Sequence, residues 1–346
     1  MPIWVYPLVL CVAAGGVLLL TPLVIRLGER WNLVAVPGGR RRHHGRVVRI
    51  GGLGIYPAFA AATLVTLGIA RDDPQEITRL TGILLSTGLV WILGLLDDKF
   101  ELRSWTQLAG LLIPALVAIA FKVFIEIFND PFTDQQVNVG WYLMLPITLV
   151  WLVGMAGTVN VLDGLDGLAA GVTGIAALVM FVQMLMLGQY TVSLLPLALV
   201  GCCLGFLRYN FYPARIFLGG GAYVLGWALG SISIAAGAKV ASALLVLWLP
   251  VVDMLWQAYC RWRRGQPLGQ GDRGHLHFRL QDIGWSQRRI VLLYYVFTAL
   301  LGGVAIFVSS RLLKLGILVI IGLVIVIALA LLARRTENTP PHTNIT

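Results

Sequence analysis

Two adjacent carboxylates, Asp97 and Asp98, close an apolar run at Leu93-Gly94-Leu95-Leu96 and are followed by Lys99 and Glu101. One Asp there would be an ordinary wet helix end. Two repel each other unless they share a cation or a proton, which suits a metal-phosphate site or a general base. Further along, Asn160-Val161-Leu162-Asp163-Gly164-Leu165-Asp166-Gly167 spaces its oxygen side chains three apart. If the segment is helical, they share one face. Gly164, Gly167 and Gly171 then permit close backbone approach, to a ligand or to a neighbouring helix. A glycine-lined helix contact alone calls for no carboxylates.

Three basic segments complete the set. The first mixes Arg208, Tyr209, Asn210 and Arg215 with the triplet Gly219-Gly220-Gly221 before a helix start, a combination able to receive an anion at backbone N–H groups. The second, Arg273-Gly274-His275-Leu276-His277 with Arg264 and Arg279 nearby, reads as diphosphate recognition. The third runs Arg40-Arg41-Arg42-His43-His44-Gly45-Arg46 to Arg49-Ile50-Gly51-Gly52, where attraction to anionic lipid headgroups explains the charge as well as catalysis does. Cys11, Cys202, Cys203 and Cys260 have no metal-type spacing and read as small core residues. Together the clusters suit magnesium-assisted phosphoryl transfer to a lipid phosphate.

These residues are carried on 346 residues that are 58% hydrophobic and only 12% charged, with mean hydropathy +0.84. So few charges cannot coat a water-exposed globule, which excludes soluble enzymes, disulfide scaffolds and disordered chains. The fold class is an all-α polytopic integral membrane protein. With about 20 apolar residues per span, eleven transmembrane helices are predicted near 3–26, 50–70, 79–96, 106–128, 141–159, 164–187, 190–208, 216–236, 240–258, 289–309 and 313–333. If the N-terminus is outside, 20 of the 26 Lys and Arg fall on the cytoplasmic side, so the positive-inside rule gives N-out and C-in. The acids Asp72, Asp73, Glu76, Glu126, Asp130 and Asp134 are expected opposite. Residues 1–335 form one membrane-embedded domain, with cytoplasmic loops near 27–49, 97–105, 157–166, 208–220 and 259–288, and 336–346 read as a disordered tail. A transporter would require acids deep within spans or an inverted repeat, and neither is expected.

In chain order, Arg49-x-Gly51-Gly52, Leu96-Asp97-Asp98-x-x-x-Leu102, Asn160-x-x-Asp163-Gly164-x-Asp166-Gly167-Leu168, Gly205-Phe206-Leu207-x-Tyr209-Asn210-Phe211-x-Pro213-Ala214-Arg215-Ile216-Phe217 and Asp272-Arg273-Gly274-His275-Leu276-His277 span nearly the whole chain. They resemble the polyprenyl-phosphate N-acetylhexosamine-1-phosphate transferases, the family that includes enzymes starting peptidoglycan lipid, teichoic acid linkage and O-antigen synthesis. The resemblance implies transfer of a HexNAc-1-phosphate from a UDP-sugar to an undecaprenyl-type phosphate, releasing UMP, as the first membrane step of a cell-envelope glycan pathway. It implies Mg²⁺, with Mn²⁺ as the alternative, and an active site on the cytoplasmic face of the plasma membrane. Nucleic acid is not an expected partner, and homodimerisation stays open. By the same resemblance, Asp97 or Asp98 orients or deprotonates the lipid phosphate, Asn160 and Asp163 hold the metal, and Asp163 and Asp166 shape the nucleotide-metal pocket. Arg49, Asn210, Arg215, Arg273, His275 and His277 contact substrate.

The chain also departs from that pattern. The Asp usual after Phe-Leu-Gly is missing near Gly220, either deleted or replaced by glycine. Gln107 stands for a Lys, Gly157 for an Asn and Phe278 for a third His, while Ala35, Arg46 and Val48 replace an Asp and two prolines of the first loop. A member that binds lipid phosphate or nucleotide sugar without turnover is therefore the alternative.

Overall fold

The apolar stretches fold as helices because an exposed backbone amide in lipid has no water to bond, so each stretch must satisfy its own peptide groups. The computed structural model describes residues 1–35, 46–130, 132–133, 135–138, 140–237, 240–267, 269 and 273–337. The basic run 40–44, Asp134, Lys239, Asp272 and the tail beyond Glu337 lie outside the described residues.

Helix α1 (Val5–Arg30) leads through an antiparallel pair, β1 (Val34–Ala35) and β2 (Val47–Val48), into α2 (Gly52–Val65), α3 (Glu76–Phe100) and α4 (Ser104–Ala120). A hairpin, β3 (Ile127–Asn129) with β4 (Gln136–Asn138), precedes α5 (Trp141–Leu162), α6 (Leu168–Met186), α7 (Leu194–Asn210) and α8 (Gly221–Ala235). Then follow α9 (Val240–Val246), α10 (Trp248–Arg263), α11 (Leu276–Asp282), α12 (Gln287–Phe307) and α13 (Arg311–Glu337). The two short strand pairs, Val34 opposite Val48 and Ile127 opposite Asn138, qualify the all-α expectation.

Every one of the eleven predicted stretches contains helix. Among the described residues six helices, α1, α3, α5, α6, α12 and α13, are long and apolar enough to cross a membrane, and α9 with α10 makes a seventh if the pair is one span. That pair is bent by 79°, where the sequence reading had a single helix. Pro250 supplies the reason: it has no N–H for the Val246 carbonyl four residues back, and its ring clashes there, so the helix stops at Val246. The helices α2, α4, α7 and α8 are apolar but shorter. At ~1.5 Å per residue, 15 residues reach roughly 22 Å of a ~30 Å hydrocarbon core. For α8 the shortfall is covered by protein, since Gly221 through Ile234 are all buried. Its Trp227 donates to Ser86 Oγ on α3 at 3.0 Å.

Outward faces are strongly apolar, with Leu19 on α1 and Val150 on α5 each more than 70% exposed, as lipid contact requires. Two polar features inside this frame were not anticipated. Between α2 and α3, Arg71 and Glu76 form a buried ion pair at 2.9 Å. Arg71 also donates to Thr66 Oγ1 and the Ile69 carbonyl, and Thr191 donates to Glu76 Oε2. Glu76 is thus a buried structural acid. In α1, Pro22 leaves the Leu18 carbonyl without its helical donor, and Tyr209 of α7 supplies a hydroxyl at 3.2 Å.

Candidate functional site

The site is framed by backbones that touch without side chains between them. The Gly51 N–H donates to the Phe217 carbonyl (2.9 Å), the Gly52 N–H to Leu218 (3.0 Å) and the Phe217 N–H to Val48 (2.8 Å). Gly221 lies against Gly52, where an added Cβ would come within 2.6 Å of the Gly52 Cα, and Gly220 lies against Gly94 of α3 just as tightly. Gly219 takes φ +55°, a conformation that side chains resist, and sits directly over Asp98. The turn therefore has no room for a side chain at 219, 220 or 221. What reaches it is Asp98, buried, with both carboxylate oxygens 3.0 Å from the Gly220 N–H. Arg49 closes the end of α3, donating to the Asp98 carbonyl and to Glu101 Oε1, each at 2.7 Å. Cationic donors at helix C-termini satisfy orphan carbonyls and oppose the dipole.

Asp97, one residue earlier, begins a directed hydrogen-bond chain. Its Oδ1 accepts from Gln107 Nε2 (2.7 Å) and the Leu102 N–H (3.0 Å). Gln107 Oε1 accepts the Tyr223 hydroxyl (2.9 Å), and that hydroxyl accepts from Asn160 Nδ2 (3.1 Å). An ionised carboxylate only accepts. It fixes which end of Gln107 faces it, hence the direction of the Tyr223 O–H, hence the orientation of the Asn160 amide. Asn160 Oδ1 is left as the end turned away from the chain. Asp97, Arg49 and Asp163 all act electrostatically on Asp98, so acids from α3 and from the end of α5 share this locality.

Asn160 lies in the last turn of α5, and residues 163–167 form a turn, so the three oxygen side chains do not share one helical face. Asp163 follows the last residue of α5, and Gly167, at φ +79°, begins α6. Asp166 Oδ2 accepts the Ala214 N–H (3.0 Å). Asn210 is buried, takes the Gly167 N–H (3.0 Å) and donates to the Ile216 carbonyl (2.8 Å). Both ends of its amide are engaged in joining the α5–α6 turn to the α7–α8 connection.

The histidine loop lands on the same turn. His277 packs on Gly164, is fully buried, and has neither ring nitrogen hydrogen-bonded. Burial, with lesser contributions from His275 and Arg273, pulls its pKa down to about 3 and keeps the ring neutral. His275 stacks on it at 5.9 Å and is held through Nδ1 by Asp253 Oδ2 at 3.0 Å, while Asp253 Oδ1 takes the Leu276 N–H. Asp253 belongs to α10 and is 1% exposed, so an acid lies deep in that helix after all. Arg273 pairs with Asp282 (2.7 Å) and stacks on Phe278, the residue standing where a third His was expected. Arg215 lies elsewhere, in a cavity with Arg26 and Arg46. Tyr223, Gly94 and Asp253 are thus partners that motif reading did not place, and Gln107, read only as standing for a Lys, is a bridging one; a polar residue in an apolar run was the available signal for Asp253 and Tyr223.

The fold and site define a many-helix membrane protein with acids, a neutral histidine and glycine-packed backbones gathered at one locality. A family model described as glycosyl transferase family 4 matches residues 80–237. Over 316 residues the chain is 31% identical to the "Probable undecaprenyl-phosphate N-acetylglucosaminyl 1-phosphate transferase" of Bacillus subtilis, covering 89% of this chain and 86% of that protein. It is 31% identical to the decaprenyl-phosphate N-acetylglucosaminephosphotransferase of Mycolicibacterium smegmatis, covering 80% and 75%. It is also 31% identical to the phospho-N-acetylmuramoyl-pentapeptide-transferase of Moorella thermoacetica, covering 67% and 76%. The chain belongs to glycosyl transferase family 4, the family of polyprenyl-phosphate N-acetylhexosamine-1-phosphate transferases.

Proposed function

We propose that this chain transfers a HexNAc-1-phosphate from a UDP-sugar to a polyprenyl phosphate at the cytoplasmic face of the membrane. The observation that carries this is the meeting of Asp98, Asp97 and Asp163 with Asn160 and the neutral, orphaned His277 at Gly164. It is supported by the printed activities of the relatives. In the reaction, an oxygen of the lipid phosphate attacks the phosphorus that bears the sugar. The bond from that phosphorus to the uridylate oxygen breaks, UMP leaves, and the lipid carries the sugar on a diphosphate.

The donors present suit Mg²⁺, a hard cation that takes one or two carboxylates and completes its shell with phosphate oxygens and water. Among the described residues no three His, Cys, Asp or Glu come together as a protein cage. Asn160 Oδ1 and Asp163 would hold the ion, which when bound would neutralise charge on the diphosphate. Asp98, buried and steadied by the Gly220 N–H, orients the attacking phosphate or takes its last proton. His277 offers a hydrogen bond to the donor without adding charge, in a place set by Asp253 through His275. We assign eleven spans, N-terminus outside and C-terminus cytoplasmic, on the distribution of Lys and Arg.

The test is UMP release by the purified full chain with undecaprenyl phosphate, a panel of UDP-N-acetylhexosamines and Mg²⁺. Turnover is expected, falling about a hundredfold or more in Asp98→Asn. No UMP across the panel at high Mg²⁺, with sugar nucleotide still bound, would instead establish the non-catalytic alternative, which the side-chain-free turn at Gly220 favours.

A further inference from the structure

A cavity of about 620 Å³ opens beside α1, lined by Pro22, Ile25, Arg26, Glu29, Arg46, Val47, Tyr209, Ala214 and Arg215. None of the acids Asp97, Asp98 or Asp163 lines it. Four of the lining residues, 22, 25, 26 and 29, follow the i, i+3, i+4, i+7 spacing of one helix face. Beside it, Pro22 frees the Leu18 carbonyl, and the Tyr209 hydroxyl of α7 reaches that carbonyl at 3.2 Å. Its size is that of sites that take small ligands.

Its lining combines cationic and apolar side chains. Three guanidinium groups face one carboxylate, for a local charge of two positive. Arg46 donates to Asn32, but the guanidinium groups of Arg26 and Arg215 have no hydrogen-bond or ion-pair partner among the described residues. Arginines placed only to set topology need no shared cavity; two unpaired guanidiniums and a third beside them present the planar forks that bind phosphate oxygens. Pro22 and Ile25 give apolar lining, and on the neighbouring surface of α1 Leu19 and Leu23 are exposed at 75% and 57%. A molecule held here has its anion among arginines and its hydrocarbon along a lipid-facing helix.

We propose that this cavity binds the phosphate of an anionic membrane lipid, as a site separate from the acidic centre. One hydrogen bond, from the Ala214 N–H to Asp166, joins the cavity wall to the α5–α6 turn, so an occupied cavity steadies the segment that carries Arg215. The inference does not rest on the transferase reading, because its test measures binding alone.

The full chain is released from nanodiscs of phosphatidylglycerol, or of phosphatidylcholine, and retained lipid is counted by native mass spectrometry. Inorganic phosphate and undecaprenyl phosphate are added as competitors in separate arms. One phosphatidylglycerol per chain is expected to survive delipidation, with phosphatidylcholine lost. Retention is expected to drop at least tenfold in Arg26→Gln/Arg215→Gln and to rise in Glu29→Gln, which removes the opposing charge from an exposed position and so does not depend on a variant that unfolds. Equal retention of both lipids, or no change in either variant, overturns the proposal. So does displacement by millimolar inorganic phosphate, which would make the ligand a soluble anion, or displacement by stoichiometric undecaprenyl phosphate, which would make the cavity part of an acceptor site.

Discussion

Tyr223 does two jobs with one hydroxyl, donating to Gln107 and accepting from Asn160. Replacing it with Phe leaves an acceptor and a donor unmatched in a nearly closed place, so Tyr223→Phe should lower stability by ~1–3 kcal/mol in thermal unfolding of the detergent-solubilised protein. It should also raise the Mg²⁺ concentration needed for half-maximal UMP release, because the Asn160 amide is then free to turn; an unchanged metal requirement would count against Asn160 as a ligand. His277 gives a second test. Its pKa lies near 3 against an ordinary 6.5, so the folded state resists the proton that the unfolded state accepts. Its contribution to stability is complete above pH 6.5 and is lost as pH falls toward 3, at up to about 1.4 kcal/mol per pH unit. The difference in stability between wild type and His277→Phe, followed from pH 7 to pH 4, should narrow by that slope. The motifs singled out Asp97, Asp98, Asp163 and His277 because acids and histidines in so apolar a chain are costly and few, and Asn160 by its spacing from Asp163. They did not reveal that Asn210 and Asp166 are engaged between segments, since a hydrogen bond across 43 or 48 positions leaves no local trace.

At the level of elements, the long helices were legible because twenty apolar residues have one reading in a membrane. Length was less legible: α8 is short yet enclosed, and enclosure is decided by neighbours far off in the chain. The bend before α10 had a visible cause in Pro250, but a proline in an apolar run also fits an unbroken span, as Pro57, Pro114 and Pro146 do in theirs. The Arg71–Glu76 pair is the element-scale prediction. It joins the entry of α3 to the α6–α7 connection through Thr191, with both side chains less than 8% exposed. Removing one partner strands a buried charge, so Glu76→Ala or Arg71→Ala should cost about 3–5 kcal/mol, while the double replacement by similar-sized apolar residues should cost less. Thermal unfolding of the three variants separates these outcomes.

For the molecule as a whole, the charge that is so sparse overall is also sorted. Twenty of 26 basic residues fall where an N-out, C-in chain places its cytoplasmic segments. A fluorescent protein fused after Thr346 should therefore fold and fluoresce, whereas alkaline phosphatase at the same position should be inactive; the reverse pattern would invert the sidedness and with it the face on which the acidic centre opens.

The glycine contacts at 94–220 and 52–221 carry a consequence for anyone who would alter the centre. Three segments meet there backbone to backbone, so the turn behaves as a fixed mould whose contents are decided by chain length and not by choice of side chain. Exchanging Gly220 for an acid would push α3 away before it added a ligand. An extra carboxylate would enter that turn with an extra residue to carry it, a change that point substitutions alone do not make.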